Sequence, residues 1–255
     1  MVLRAEWTKL RTLRSTRWIL LAMLGLTVGF SFFLASGSTS TGGGPGDNDI
    51  VRDSLVGVYL ALFAVVAFGV VAITSEHATR TIHTTFTAIP RRGRVLLAKS
   101  LLVGGAVLVV GLASSTSAFL LAQHVLRHNG YAPPSYPEWT LHDGPAQRAV
   151  VGSALLLTAI ALLSLGVGAI LRHSAAAISA LLALMFVPLV FANTLPDHTR
   201  ELVQKATPGA GFAVQQTVAR SDALPIGPWT GLGVTFAWAA GALLVAFVLI
   251  RRCDA

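Results

Sequence analysis

His124 and His128 stand four residues apart, the spacing that puts two imidazoles on one helix face, where a transition metal could take both. No third ligand is at hand, because Glu138, His142 and Asp143 lie across a Pro-rich loop. The pair therefore reads as interfacial polar residues. Ser114, Ser115, Ser153 and Ser164 fall inside apolar runs, where a nucleophilic serine would need a histidine at the same depth on another helix. Without one, they read as small residues for helix packing. A phosphate-cradling loop requires Gly-Lys followed by Ser or Thr. The three lysines, Lys9, Lys99 and Lys205, instead follow Thr8, Ala98 and Gln204. Ion-driven carriers rely on Asp, Glu, His or Arg at membrane depth, each costing ~3 kcal/mol or more to insert, and the apolar runs hold hardly any. The sequence thus offers no catalytic residue, no metal site and no cofactor held by this chain.

What it offers instead is a basic amphipathic segment. Ser75–Lys99 is a polar interruption between two apolar runs of spanning length. Read as a helix from an N-cap at Thr74 or Ser75 to Pro90, it aligns Ala78, Ile82, Phe86 and Ile89 on one stripe. Pro90 then ends the helix, and Arg91, Arg92 and Arg94 follow at once. Such a helix, edged with arginine, is built to meet a partner at the membrane face.

Composition sets the frame. Of 255 residues 54% are hydrophobic and 12% charged, whereas soluble domains carry about 25% charged residues. Six blocks come near or beyond the ~20 residues that cross a bilayer as helix: 18–36, 54–74, 95–123, 146–171, 175–194 and 229–250. The expected fold is an all-α polytopic membrane protein with six transmembrane helices. A single unit is expected over 1–255, made of an interfacial helix at 1–17 and a six-span bundle at 18–255. The first run is too long for a secretory signal and reads as an uncleaved span. Cys253 is the sole cysteine, which excludes an internal disulfide.

A net charge of +8 would suggest nucleic acid in a soluble protein. Here thirteen of the nineteen Lys and Arg fall in one set of alternate loops and tails, and most acids in the other. That asymmetry predicts both termini in the cytoplasm and contact with anionic lipid.

Around the spans, residues 2–17 place Leu3, Trp7, Leu10 and Leu13 at helical spacing among basic residues, as in a helix lying in the headgroup plane. Gly37–Asp53 reads as a flexible external loop. The stretch after His124 reads as an irregular loop bearing Tyr131, Tyr136 and Trp139. Only Arg172, His173 and Ser174 separate the fourth and fifth blocks, so those helices should turn tightly. Between 195 and 228 two short helices are expected, the first ended by Pro208 and the second beginning after Gly209 and Gly211. They either dip back into the outer leaflet or lie on the surface. Gly25-x-x-x-Gly29 permits close helix approach, a weak signal in a chain rich in small residues.

Two motifs carry a family resemblance along this order of elements. Glu6, Trp7 and Lys9, with Arg14 and Arg17, are similar to an N-terminal E-x-x-K helix. Glu76, Thr81, Ile82, Thr84, Thr85, Ala88, Pro90, Arg91, Arg92, Gly93, Arg94 and Lys99 are similar to a signature following the second span. The chain resembles the permease subunit of ATP-binding-cassette type-2 exporters of the actinobacterial kind, although that signature usually has Gly where this chain has Arg80.

The resemblance implies that residues 75–90 form a cytosolic coupling helix seated on a separate ATPase. The expected coupling residues are Glu76, Arg80, Thr81, Ile82, Phe86, Ile89, Pro90, Arg91, Arg92 and Arg94. ATP and magnesium would sit on that ATPase subunit, and two permeases would pair in the bacterial plasma membrane. It implies export, with antibiotic resistance among the possible outcomes. It also implies a substrate path between the second and fifth spans, where Tyr59, Phe63 and Val66 would face Leu182, Phe186 and Asn193. An aromatic seam poor in charge suits a hydrophobic or amphipathic cargo such as a drug-like natural product, peptide or lipid. The competing expectation is a non-transporting six-span partner that gives immunity or signals by binding a peptide or sensor kinase.

Overall fold

The computed structural model describes residues 14–38, 48–78, 92–133, 136–191, 196–218 and 223–252. They form α1 (Arg14–Gly37), α2 (Ile50–Ser54), α3 (Gly57–Ala78), α4 (Arg92–His128), α5 (Gly144–Leu171), α6 (Ser174–Phe191), α7 (Asp197–Ala206), a 3-10 segment (Pro208–Gln215) and α8 (Pro228–Arg252). No strand occurs among the described residues. This is a polytopic helical membrane protein.

Five helices, α1, α3, α4, α5 and α8, are long and apolar enough to cross a bilayer, and α6 is a shorter apolar helix. At 18 residues, α6 reaches ~27 Å at 1.5 Å per residue, just under the ~30 Å of hydrocarbon. α4 has 37 residues and reaches ~55 Å, so it projects well beyond any bilayer.

Burial sorts centre from periphery. In the most apolar stretches of α3 and α5, 67% and 72% of residues are buried inside the protein, against 22% in α1 and in α8. α3 and α5 pack on each other at the centre; α1 and α4 flank one side, and α8 lies along α5. Lipid offers no hydrophobic drive between helices, so close backbone approach and hydrogen bonds hold them together. Gly69 of α3 shows why: a Cβ there would come within 2.5 Å of the Ala161 carbonyl oxygen on α5. Ser114, Ser115, Ser153 and Ser164 are all fully buried. Each donates its hydroxyl to a carbonyl three or four residues back, and Ser115 also reaches Val150 O on α5 at 3.1 Å. Their packing role is therefore the one expected. Gly25 and Gly29 approach no other helix among the described residues; a Cβ at either would meet none of their atoms within 4 Å.

The turn between α5 and α6 is as tight as its three residues demand. Arg172 takes the left-handed conformation (φ 54°) and its N–H donates to Gly168 O. His173 follows as a cap, its Nδ1 accepting from Ala176 N at 3.4 Å.

Three boundaries differ from the sequence reading. Thr74 does not open a new helix: it lies inside α3, which runs on to Ala78, and its hydroxyl donates back to Val70 O at 3.0 Å. A threonine can satisfy its hydroxyl that way without ending the helix. Arg14 and Arg17 belong to the first turn of α1 and are continuous with the span. Of the expected interfacial helix, Glu6, Trp7 and Lys9 lie outside the described residues. Lastly, the second short helix after Pro208 is a 3-10 segment that begins at Pro208, so Gly209 and Gly211 lie within it.

Lys99 sits on α4, 4% exposed, with Nζ donating to Ala72 O of α3 at 2.8 Å. A charge-assisted hydrogen bond to a backbone carbonyl offsets part of the cost of burying that cation.

Candidate functional site

The connections between helices fall at two ends of the bundle. One end gathers the C-termini of α1, α4 and α6, the N-termini of α3, α5 and α8, and with them α2, α7 and the 3-10 segment. The opposite end gathers the N-termini of α1 and α4 and the C-termini of α3 and α8. Residues 79–91 join α3 to α4 there.

At the α2 end the chain from 206 to 218 is drawn into the protein. Pro208 and every residue from Ala210 to Gln215 are buried. Gly231 permits the entry: a Cβ on it would collide with the Ala210 carbonyl oxygen. Helix α8 supplies donors to the carbonyls this turn leaves open. Trp238 Nε1 donates to Ala206 O and Thr235 Oγ1 to Pro208 O, both at 2.8 Å. From α5, Arg148 donates to Gln216 O at 2.6 Å, while Gln215 Nε2 donates to Ser153 Oγ at 2.9 Å.

Asp49 completes the anchorage. It is 1% exposed. Its Oδ1 accepts from Arg52 N at 3.1 Å, capping α2, and from the Thr217 hydroxyl at 2.6 Å; Oδ2 accepts from Thr217 N at 2.7 Å and Val218 N at 3.1 Å. A carboxylate with four donors is well compensated for burial.

The anchored segment presents Phe212 to α3. The Tyr59 and Phe212 rings stack with centroids 4.0 Å apart and planes 4° from parallel. Four residues along α3, Phe63 stacks on Phe186 of α6 at 5.4 Å and 18°. Above this aromatic floor lies a cavity of about 250 Å³ between α2, α3, α6, α7 and the 3-10 segment. Tyr59, Met185, Phe186 and Phe212 line it, with Arg52, Arg200, Gln204 and Gln216 among its polar groups.

The expected substrate-path residues divide on this geometry. Tyr59 and Phe186 line the cavity, and Phe63, 44% exposed, stacks beside it. Val66 is fully buried in the central core, and Leu182 is half-buried away from the lining. Asn193 lies outside the described residues. Phe212, Arg52 and Arg200 are not among the residues expected from sequence; the apolar 208–215 stretch in an otherwise polar connection signals Phe212, and nothing in the sequence singles out the two arginines.

Of the coupling residues, Arg80, Thr81, Ile82, Phe86, Ile89, Pro90 and Arg91 lie outside the described residues. Glu76 falls in the last turn of α3, and Arg92 and Arg94 in the first turn of α4. His124 and His128 sit on one face with ring centroids 4.7 Å apart, and His128 Nδ1 lies 3.0 Å from His124 O. Among the described residues no group of three metal-ligating side chains occurs.

The Pro-rich loop after α4 folds onto the same end. Tyr136 is buried with Ala35, Ile50, Ala122 and Leu126. Asn129 donates to Ala35 O at 2.9 Å, and Arg127 pairs with Glu138 at 3.2 Å. Partial burial raises the Tyr131 hydroxyl above its ordinary pKa, with Tyr136 and Asp53 adding to the effect. Asp143 is held below the usual carboxylate value by hydrogen bonds from the Thr140 N–H and hydroxyl. On α7 the Lys205 ammonium, 2.8 Å away, lowers Glu201 in the same sense.

Compared with models of known protein families and with curated proteins, the chain matches none.

Proposed function

We propose that this chain is the permease half of an ATP-driven exporter, paired with a second permease and powered by a separate cytosolic ATPase. The supporting observation is the cavity between α3 and α6. Two of the residues expected along a substrate path, Tyr59 and Phe186, line it, while Ala78 and Arg92, the helix ends that flank the segment expected to touch the ATPase, lie at the opposite end. In this reading α6 is the fifth of six spans, and the 79–91 end faces the cytoplasm, as the excess of basic residues there favours.

Movement would follow from the connections. A push on residues 75–91 would act on the last turn of α3 and the first turn of α4, and the two helices are tied further in by Lys99 Nζ donating to Ala72 O. α3 carries Tyr59 and Phe63 at its far end. A rigid shift of α3 against α6 would therefore open or close the aromatic seam, since packed helices move as units. The anchored 206–218 segment would serve as the fixed wall. Cargo would be hydrophobic or amphipathic.

The test is co-purification and reconstitution with a candidate ATP-binding-cassette ATPase, sought among the genes next to this one. Replacing Arg80 and Phe86 together is expected to reduce ATPase recovery and cargo-stimulated hydrolysis at least several-fold. Unchanged recovery, with unchanged resistance to exported compounds, would contradict the assignment and favour a non-transporting role in immunity or signalling.

A further inference from the structure

Two cationic side chains reach the aromatic cavity from different elements, Arg52 from α2 and Arg200 from α7. Both are half-buried. Gln204 and Gln216 add neutral polar groups. Guanidinium groups clasp carboxylate, sulfate or phosphate through paired N–H donors, and partial burial protects that attraction from salt. The rest of the lining is largely apolar and includes the aromatic rings of Tyr59, Phe212 and Phe186. Its volume of about 250 Å³ falls near the lower limit of ligand sites, which run from ~300 Å³ upward. That accommodates a head and a ring or short chain, with any longer tail leaving beside Phe63 and Val190, both exposed.

We infer that this cavity binds an anionic amphiphile, its acidic head on Arg52 and Arg200 and its apolar portion against the Tyr59–Phe212 stack and Phe186. The inference rests on the cavity being the cargo site proposed above, but binding is measured without any ATPase. Loss of coupling with binding intact would leave an amphiphile-binding protein. Loss of binding with coupling intact would leave an exporter of another cargo class.

The experiment uses the full chain in phosphatidylcholine nanodiscs at pH 8, titrated with 11-(dansylamino)undecanoic acid and, separately, its methyl ester, with empty discs subtracted. The acid is expected to bind saturably and on the order of tenfold more tightly than the ester, as charge-assisted hydrogen bonds worth about 1.5 kcal/mol or more require. Arg52→Gln with Arg200→Gln should abolish that preference, and Phe212→Ala should weaken both probes alike. Should the double variant not fold, Arg200→Gln alone should cut the preference by about half its logarithm, and Arg200→Lys should restore part of it. Adding phosphatidylglycerol to the discs separates the sources: competition indicates a lipid headgroup, and its lack indicates a cargo carboxylate, both consistent with an anionic occupant. Equal affinity for acid and ester, a preference that survives the arginine changes, or no saturable binding would overturn the inference.

Discussion

The carboxylate of Asp49 accepts hydrogen bonds from both the backbone N–H and the hydroxyl of Thr217, at 2.7 and 2.6 Å, across 168 residues of chain. The contact fastens α2, which carries Arg52, to the end of the 3-10 segment, which carries Phe212. One buried side chain thus links two of the elements that line the cavity.

Asp49→Ala should strand three backbone N–H groups, those of Arg52, Thr217 and Val218, in buried or half-buried surroundings. Unsatisfied donors cost about 1–3 kcal/mol each when fully buried, so a total loss of roughly 2–4 kcal/mol is expected. Asp49→Asn, which retains one acceptor, should lose less. Thermal unfolding in detergent measures the order wild type, then Asn, then Ala. Equal melting temperatures for all three would show that the contact does not hold the segment.

Gly231 and Gly233 lie two residues apart on α8 yet differ in what a methyl would meet. At Gly231 a Cβ collides with the Ala210 carbonyl, whereas at Gly233 nothing lies within 4 Å. Gly231→Ala should destabilise by about 1–3 kcal/mol through overpacking. Gly233→Ala should be neutral or slightly stabilising, since alanine is the better helix former. The pair of melting temperatures checks whether the 3-10 segment is truly packed on α8.

Acid should release two surface motifs. Asp143 and Glu201 have folded values below their ordinary ones. Their stabilising bonds are therefore complete above the unfolded pKa and are lost as pH falls through the lower folded value. Protection of the Thr140 amide against hydrogen exchange should hold from pH 7 to 5 and fall below the ordinary Asp value of about 3.9. In Asp143→Ala protection should be low throughout. A profile for the wild-type protein that is flat down to pH 2 would remove the carboxylate from that role.

Much of this architecture was legible in the residues. Long apolar runs specified the spans, because an unpaired peptide group in lipid is costly enough to force helix formation. The three-residue link at Arg172–Ser174 specified a tight antiparallel turn, and serines inside apolar runs specified helix contacts. Tyr59 and Phe186, expected beside one path only through the family resemblance, both line the cavity, yet each stacks on a different ring. What stayed hidden depends on partners distant in sequence. Asp49 looked like one more acid in a flexible loop, since Thr217 is its reason for burial. Lys99 looked like a topology marker, since the carbonyl that takes its charge belongs to α3. The 208–215 stretch looked like a helix, since small apolar residues suit one; only contact with α5 and α8 makes the tighter winding worthwhile. Val66 shared the face of Tyr59 and Phe63 by spacing, yet α3 is buried nearly all round at that level, so its face there is core.

The most direct measurement places a single thiol at Phe86, as Phe86→Cys in a Cys253→Ser background, with a candidate ATP-binding-cassette ATPase that co-purifies with the chain co-expressed. In inverted membrane vesicles the thiol should cross-link to the ATPase, with a yield that changes on nucleotide binding, while an impermeant maleimide should leave it unmodified in intact cells. Labelling of that thiol from outside intact cells, or a complete lack of cross-linking with the ATPase present, would contradict a chain driven from beneath α3.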